Sequence, residues 1–116
     1  MSDIKLMVLY PFPTDVDKFE KDYLEHLALF HRKMNIPTDV RPYTITKIHS
    51  NAQSPSPYYH IFTMPFPSSE ALDQVMSTPE MQEVAGDAAR ISSGGAPVIL
   101  VGSDTDPLFL FSPELR

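Results

Sequence analysis

Residues 4–34, IKLMVLYPFPTDVDKFEKDYLEHLALFHRKM, contain a strand-like run followed directly by a helix-like segment, and they decide the fold. From Val16 to Met34 the apolar residues recur with helical spacing. At about 100° per residue they fall within an arc of roughly 100°, the width of a helix stripe that faces a core. The stripe consists of Val16, Phe19, Tyr23, His26, Leu27, Phe30 and Met34. Its histidine is either a packed structural residue or the polar group of a cavity.

The run from Ile4 to Tyr10 is almost entirely apolar, which is typical of a central strand covered on both faces. Two prolines end this run. Thr14 then has the position of an N-cap, so we expect the helix to begin near Asp15. It should end near Met34, because Pro37 follows and a helix does not easily continue into a proline.

The rest of the chain predicts three more strands and a second helix interrupted at its middle. The predicted strands cover residues 43–48, 58–66 and 98–101, and the two helical pieces cover 69–76 and 79–91. Alternation in the third strand directs one set to one face and the other set to the opposite face: Tyr58, His60, Phe62, Met64 and Phe66, against Tyr59, Ile61 and Thr63. Pro65 predicts a bulge or an unpaired stretch, because proline donates no ladder hydrogen bond.

The order strand, helix, strand, strand, helix, strand predicts a ferredoxin-like α+β fold, βαββαβ. In that fold, a four-stranded antiparallel sheet has its helices on one face. Helices on one face leave the other uncovered, although several strands are apolar on both faces. We therefore expect a homodimer in which two sheets meet, because the same patch then covers itself. We predict one domain over residues 1–104, and expect the apolar segment 105–116 to dock on the dimer.

The composition excludes several classes of function. With 116 residues there is room for one core, and a formal net charge of −6 without a basic run makes nucleic acid an improbable partner. The chain has no cysteine, which excludes thiol nucleophiles and zinc–thiolate sites. No apolar run is long enough to span a membrane, and no N-terminal segment has the pattern of a signal peptide. We expect no membrane partner and a cytoplasmic location.

The residues resemble the EthD family of the dimeric α/β-barrel superfamily. The resemblance rests on the order and spacing of short motifs over residues 3 to 103. These motifs are Lys5-Leu6-Met7, Tyr23-x-x-His26, Tyr58-Tyr59, Ser68-Ser69-Glu70, Thr78-Pro79-Glu80, Asp87-Ala88 and Pro97-Val98-Ile99-Leu100-Val101-Gly102. The prolines that follow the histidine in the family are replaced here by Leu27-Ala28-Leu29, so the helix continues past His26.

The resemblance implies a cavity between sheet and helices in a superfamily that includes cofactor-independent monooxygenases, isomerases and cyclases. Within it His26 is the best candidate for a general acid or base, because a free imidazole titrates near ~6.5. Tyr23 either orients His26 or donates to a substrate carbonyl, so these two residues are the predicted catalytic pair. The alternative is that His26 only hydrogen-bonds to backbone.

We also predict a set of substrate-binding residues, with a packed or solvated position as the alternative for each. This set is Tyr59, His60, Phe62, Phe30 and Asp87. His31 lies off the stripe and is expected to face solvent. The four histidines show no metal-ligand spacing, so we expect neither a metal nor another bound cofactor.

Three functions fit these expectations. The first is a cofactor-independent oxidoreductase, isomerase or cyclase of a degradation pathway, acting on an apolar carbonyl or aromatic metabolite. The second is a non-catalytic binder that delivers such a metabolite to a partner oxidase. The third is a purely structural assembly domain, which requires a cavity filled by side chains.

Overall fold

The computed structural model describes residues 4–105. In chain order the elements are β1 (Ile4–Pro11), α1 (Val16–Lys33), β2 (Thr44–Lys47), β3 (Tyr58–Phe66), α2 (Ser69–Met76), α3 (Pro79–Ile91) and β4 (Val98–Ser103). The strands form one sheet in the order β2-β3-β1-β4, and every neighbouring pair is antiparallel. The ferredoxin-like prediction is confirmed, with the second helix divided into α2 and α3. The docking expected of segment 105–116 lies, beyond residue 105, outside the described residues.

Polar side chains cap the start of each helix. The hydroxyls of Ser68 and Thr78 cap α2 and α3. The prediction for Thr14 was wrong, because the Asp15 carboxylate accepts the backbone N–H of Lys18 at 3.1 Å and caps α1. A carboxylate satisfies the free N–H groups of the first turn and also places negative charge at the positive end of the helix.

A bulge near the start of β3 changes the direction of one aromatic side chain. Tyr10 pairs with His60 and the next residue of β1 pairs with Tyr58, which leaves Tyr59 as the extra residue. The Tyr59 ring stacks on His60 at 4.9 Å and lies 5.8 Å from Phe19 of α1. The expectation that Tyr59 and His60 point to opposite faces was therefore wrong, because a bulge interrupts the alternation of a strand.

Pro65 causes no bulge. It pairs with Lys5 in an unbroken register between β1 and β3. On the other side of β3, the first residue of β2 is Thr44, which pairs with Thr63. Within residues 4–105 no strand residue therefore pairs with Pro65 on that side. Of the two alternatives predicted for this proline, the unpaired stretch is the one that the fold adopts.

The expectation that His31 faces solvent was wrong. Only 6% of this residue is exposed, and its Nε2 lies 2.8 Å from the hydroxyl of Tyr43. Its Nδ1 lies 3.2 Å from the carbonyl oxygens of Ile36 and Pro37. The chain reverses at Asn35, whose φ is 56°, and folds back over the end of α1. This reversal is what buries His31.

The helices cover one face of the sheet, called here the inner face. Its core joins β1 and β3 to α1, α2 and α3 through two adjoining clusters of buried residues. The larger includes Leu6, Phe30, Phe62, Phe66, Leu72, Met81 and Val84, and the smaller consists of Tyr10, Phe19, Tyr23, Ala88 and Ile91. The buried positions Phe19, Tyr23, His26 and Phe30 confirm the predicted stripe of α1.

The opposite face, called here the open face, has no helix against it within the described chain. Leu6 and Val8 are on the inner face, so strand alternation places Met7 and Leu9 on the open face. The residues that pair with Met7 and Leu9 in the neighbouring strands lie on the open face too. These open-face apolar residues are Met7, Leu9, Ile61, Val98 and Leu100. Leu100 is 46% exposed.

Gly94 allows the end of α3 to approach the segment that follows β1. A Cβ at this position would lie 2.0 Å from the backbone oxygen of Phe12, and no backbone atom can yield cheaply there. Gly94→Ala is expected to lower the free energy of unfolding by about 1 to 3 kcal/mol, the usual cost of overpacking. Urea denaturation measures this change.

Gly86 provides the matched control for that substitution. It lies inside α3 and a Cβ there has no atom within 4 Å. Gly86→Ala should raise the free energy of unfolding by about 0.5 to 1 kcal/mol, because glycine disfavours a helix interior. Equal stability of the two variants would contradict the close approach at Gly94.

Candidate active site

A cavity of about 300 Å³ lies between α1, α3 and the inner face of the sheet. Its strand side is formed by Leu6, Val8, Tyr10, Phe62 and Ile99, and its α1 side by His26, Leu27 and Phe30. On α3 the facing residues include Ala85, Ala88 and Ala89, whose small side chains leave the space open. An apolar cavity with a few polar groups is the usual form of a small-molecule site.

His26 places an imidazole in the wall of this cavity. It lines the wall and is only 5% exposed to solvent. Its Nδ1 lies 2.8 Å from Oδ2 of Asp87, a residue 61 positions away on α3. Because an ionised carboxylate only accepts, Nδ1 carries the proton and Nε2 carries the lone pair. Among residues 4–105 none forms a hydrogen bond with Nε2, which is thus free for a ligand.

Asp87 is anchored on both of its oxygens. Oδ2 accepts from His26, and Oδ1 accepts from Nε of Arg90 at 2.8 Å, one turn further along α3. Partial burial raises the pKa of the Asp87 carboxyl, but the hydrogen bonds from His26 and Arg90 outweigh this and hold the pKa below its usual value. The carboxyl is therefore ionised at neutral pH and fixes the orientation of the imidazole.

The environment keeps His26 neutral at neutral pH. Burial in the apolar wall lowers the pKa of its imidazole below the ordinary value. The hydrogen bond and charge of Asp87 act in the opposite direction, and the charge of Arg90 adds slightly to the lowering. A neutral imidazole with a free Nε2 can accept a proton from a bound molecule.

Tyr10 is a cavity residue that sequence reasoning missed. It lies at the end of β1, is 2% exposed and lines the same cavity as His26. Burial raises the pKa of its hydroxyl, and the negative charge of Asp87 raises it further. The sequence signal that could have identified this residue is strand alternation, which places Tyr10 on the same face as Leu6 and Val8.

The predicted site residues occupy three different places. His26, Phe30 and Phe62 line the cavity. Asp87 lies behind His26 and holds its Nδ1. The others lie outside the cavity wall, on the side of α1 that faces the bulge of β3: Tyr23, Tyr59 and His60.

A second, sealed group of polar atoms surrounds His60. Its Nε2 lies 3.4 Å from Oε1 of Glu20, and its ring packs edge-on against Tyr23 at 4.8 Å. Glu20 Oε1, the Tyr23 hydroxyl and both ring nitrogens of His60 are buried without a hydrogen-bond partner in the part of the chain that the structure describes. Burial lowers the pKa of His60, although the charge of Glu20 opposes this. The Tyr23 hydroxyl therefore does not reach the cavity.

Residues 4–105 contain neither a cluster of metal-binding side chains nor a membrane-spanning helix. In that range no three histidine, aspartate or glutamate side chains converge in a way that would hold a metal ion. No helix of the same range has the length and apolar character that crossing a membrane requires.

The pairing of His26 with Asp87 makes an NMR prediction. Asp87→Asn removes the negative charge that raises the pKa of His26, so this pKa should fall further below the ordinary histidine value. Arg90→Gln removes a positive charge and should move the same pKa upward. Titration of the His26 ring protons measures both shifts, and two unchanged titrations would show that the pair does not form in solution.

Comparisons with known proteins agree with this architecture. The family model of the EthD domain matches residues 13–95. The crystal structure of an EthD family protein from Bacillus halodurans C-125 is similar, with 25% identity and a TM-score of 0.72, covering 90% of this chain and 100% of that one. No curated protein matches the chain.

Two further solved structures share the fold at lower identity. A dimeric ferredoxin-like protein from Jannaschia sp. CCS1 has 14% identity and a TM-score of 0.62, covering 85% of this chain and 97% of that one. Hydroxynitrile lyase from Passiflora edulis has 13% identity and a TM-score of 0.66, with coverages of 89% and 94%. Since the family model spans well over half of the sequence, the chain belongs to the EthD family.

Proposed function

We propose that this protein is a small-molecule enzyme in which His26 removes a proton from an apolar substrate. The observation that carries the proposal is the orientation of one imidazole. Its Nδ1 is held by Asp87 at 2.8 Å, and its Nε2 is free in the wall of an apolar cavity. A neutral imidazole with a free nitrogen beside a bound substrate is the arrangement that general base catalysis requires. A fold relative, the hydroxynitrile lyase, is itself a small-molecule enzyme.

The cavity limits the size of the substrate. An apolar cavity of about 150 Å³ holds one benzene ring, so a volume about twice as large accommodates on the order of a dozen non-hydrogen atoms. Walls such as Val8, Leu27 and Phe62 favour an apolar or aromatic skeleton. We propose a substrate of one or two rings, or an equivalent chain, that bears at least one carbonyl or phenol group.

The proposed step is a proton transfer to Nε2. A C–H bond next to a carbonyl, or a phenol O–H bond, breaks, the proton moves to Nε2, and the electron pair remains on the substrate as an enolate or phenolate. The ionised Asp87 stabilises the imidazolium that forms. Returning the proton to another atom gives isomerisation, and attack of the carbanion on a second carbonyl gives cyclisation. Reaction of the same anion with dioxygen gives oxidation without a resident cofactor.

Tyr23 has a positioning role in this proposal. Its ring packs against the His26 ring with centroids 5.8 Å apart. Packing of this kind restricts the imidazole to one rotamer, which preserves the hydrogen bond to Asp87. The ring of Tyr23, rather than its hydroxyl, supports the base.

Hydrogen–deuterium exchange tests the proton transfer without knowledge of the natural reaction. We expect the protein in D2O to accelerate deuterium exchange at the activated carbon of 2-tetralone, a bicyclic ketone of suitable size. Proton NMR follows the loss of the C–H signal. His26→Ala should lose about 10²- to 10⁴-fold of this acceleration, the usual contribution of general base catalysis.

His49→Ala is the matched control for the exchange experiment. His49 is exposed and follows β2, away from the cavity, so its variant should exchange at the wild-type rate. Exchange that is independent of His26 would overturn the proposed base. Tight binding of the ketone without any exchange would support instead a non-catalytic carrier for a partner oxidase.

We propose that the protein is a homodimer built on the open face of the sheet. This face presents Met7, Leu9, Ile61, Val98 and Leu100 without a helix over them in the described chain. An apolar patch of this kind usually marks an interface, and a two-fold contact lets one copy cover the other. The similar ferredoxin-like protein from Jannaschia is dimeric.

A charge on the open face should dissociate the dimer. Leu100→Asp places a carboxylate in the proposed interface, and sedimentation equilibrium should then show a shift from dimer to monomer. Leu24→Asp is the control, because Leu24 is 70% exposed on the outer side of α1. If both variants sediment like the wild type, the open face is not the interface.

A further inference from the structure

We propose that Tyr10 is a second substrate-contacting residue, whose hydroxyl donates a hydrogen bond to the substrate oxygen that becomes negative when His26 takes the proton. This inference rests on the proposed function, and it specifies the substrate class. The substrate must present a carbonyl or phenol oxygen to Tyr10 while its acidic hydrogen faces Nε2 of His26.

The Tyr10 side chain shares the cavity with His26. Tyr10 and His26 line the same cavity, from β1 and from α1 respectively, so one ligand of the cavity's size touches both. Within residues 4–105 no hydrogen bond joins the Tyr10 hydroxyl to another group, and the residue lines the cavity although only 2% of it is exposed. An unpaired hydroxyl on a residue of the cavity wall is available to a bound oxygen.

Packing holds the Tyr10 ring in place. The Tyr10 ring packs edge-on against Phe19 and against Tyr23, with centroids 5.5 Å apart in each contact. In the sheet, Tyr10 pairs with His60 at the last regular position before the bulge of β3. A donor held by such packing needs little reorganisation when charge develops on the substrate.

The Tyr10 hydroxyl is protonated at neutral pH. Burial and the nearby charge of Asp87 both raise the pKa of the Tyr10 hydroxyl, so it keeps its proton at every pH near neutrality. The phenol is therefore a donor and not a competing base. His26 cannot take over this function, because its Nδ1 proton is directed at Asp87 and its neutral Nε2 only accepts.

In the proposed proton transfer, His26 accepts the proton and Tyr10 stabilises the resulting anion. The C–H bond of the ketone breaks, its proton forms a bond to Nε2 of His26, and the electron pair moves onto the carbonyl oxygen as an enolate. The Tyr10 O–H remains intact and its hydrogen bond to that oxygen shortens. Return of the proton restores the ketone and the neutral imidazole.

Binding of a matched ligand pair tests Tyr10 directly. 2-Tetralone and tetralin share a ring skeleton, but only the ketone can accept a hydrogen bond. Tyr10→Phe should weaken ketone binding by about 2- to 10-fold, the effect of one neutral hydrogen bond, and leave tetralin binding unchanged. The same variant should also slow the deuterium exchange of 2-tetralone. The pKa of His26, measured by NMR, should stay close to its wild-type value, because the substitution is neutral.

Tyr58→Phe is the matched control, since it removes the hydroxyl of a tyrosine at the start of β3 that does not line the cavity. It should preserve the preference for the ketone. In the wild type alone, the infrared carbonyl stretch of bound 2-tetralone should lie below its value in hexane, so the test does not depend on the folding of a variant.

The outcomes separate the two proposals. An unchanged ketone preference in Tyr10→Phe, or a carbonyl stretch equal to that in hexane, overturns the role of Tyr10 and leaves His26 as the base. Loss of the ketone preference with exchange that survives His26→Ala supports the Tyr10 contact and overturns the proposed base. Failure of the wild type to bind even tetralin overturns both, because the cavity then holds no apolar ligand.

Discussion

The hydrogen bond between Nδ1 of His26 and Oδ2 of Asp87 connects α1 to α3 across the top of the cavity, between residues 61 positions apart. It determines which nitrogen of the imidazole is free, because the carboxylate accepts only from the protonated one. It also ties together the two helices that form one side of the cavity. The tautomer of the imidazole and the separation of these walls thus depend on the same contact.

Two features of the packing keep space beside that contact. α3 presents Ala85, Ala88 and Ala89 to the cavity, where larger side chains would fill it. The bulge of β3 turns Tyr59 and His60 together toward Phe19, so these rings pack beside the cavity instead of inside it. The polar atoms around His60 are thereby sealed in a separate place from the free Nε2 of His26. The cavity keeps an apolar wall with few polar groups.

Periodicity predicted most of the fold, but the details of the site depended on distant parts of the chain. The stripe of α1 placed His26 on the buried side because helical spacing is local, and the order of elements then indicated the sheet topology. The role of Asp87 as the partner of His26 depends on how α3 is rotated against α1, which no local pattern records. Tyr59 was misplaced because one extra residue in a strand reverses the alternation, and His31 because the chain reverses after the helix.

A histidine proposed as a base in an apolar wall faces two opposing requirements, and the His26–Asp87 pair meets both. Burial lowers the pKa of the imidazole, which guarantees a neutral acceptor but makes the protonated form costly once the proton arrives. Asp87 opposes that cost with a charge that remains ionised because Arg90 and His26 both donate to it. A lone histidine in this wall would remain neutral and hold a proton poorly, whereas the pair can take one and return it. The arrangement therefore suits reversible proton transfer better than simple packing of a buried histidine.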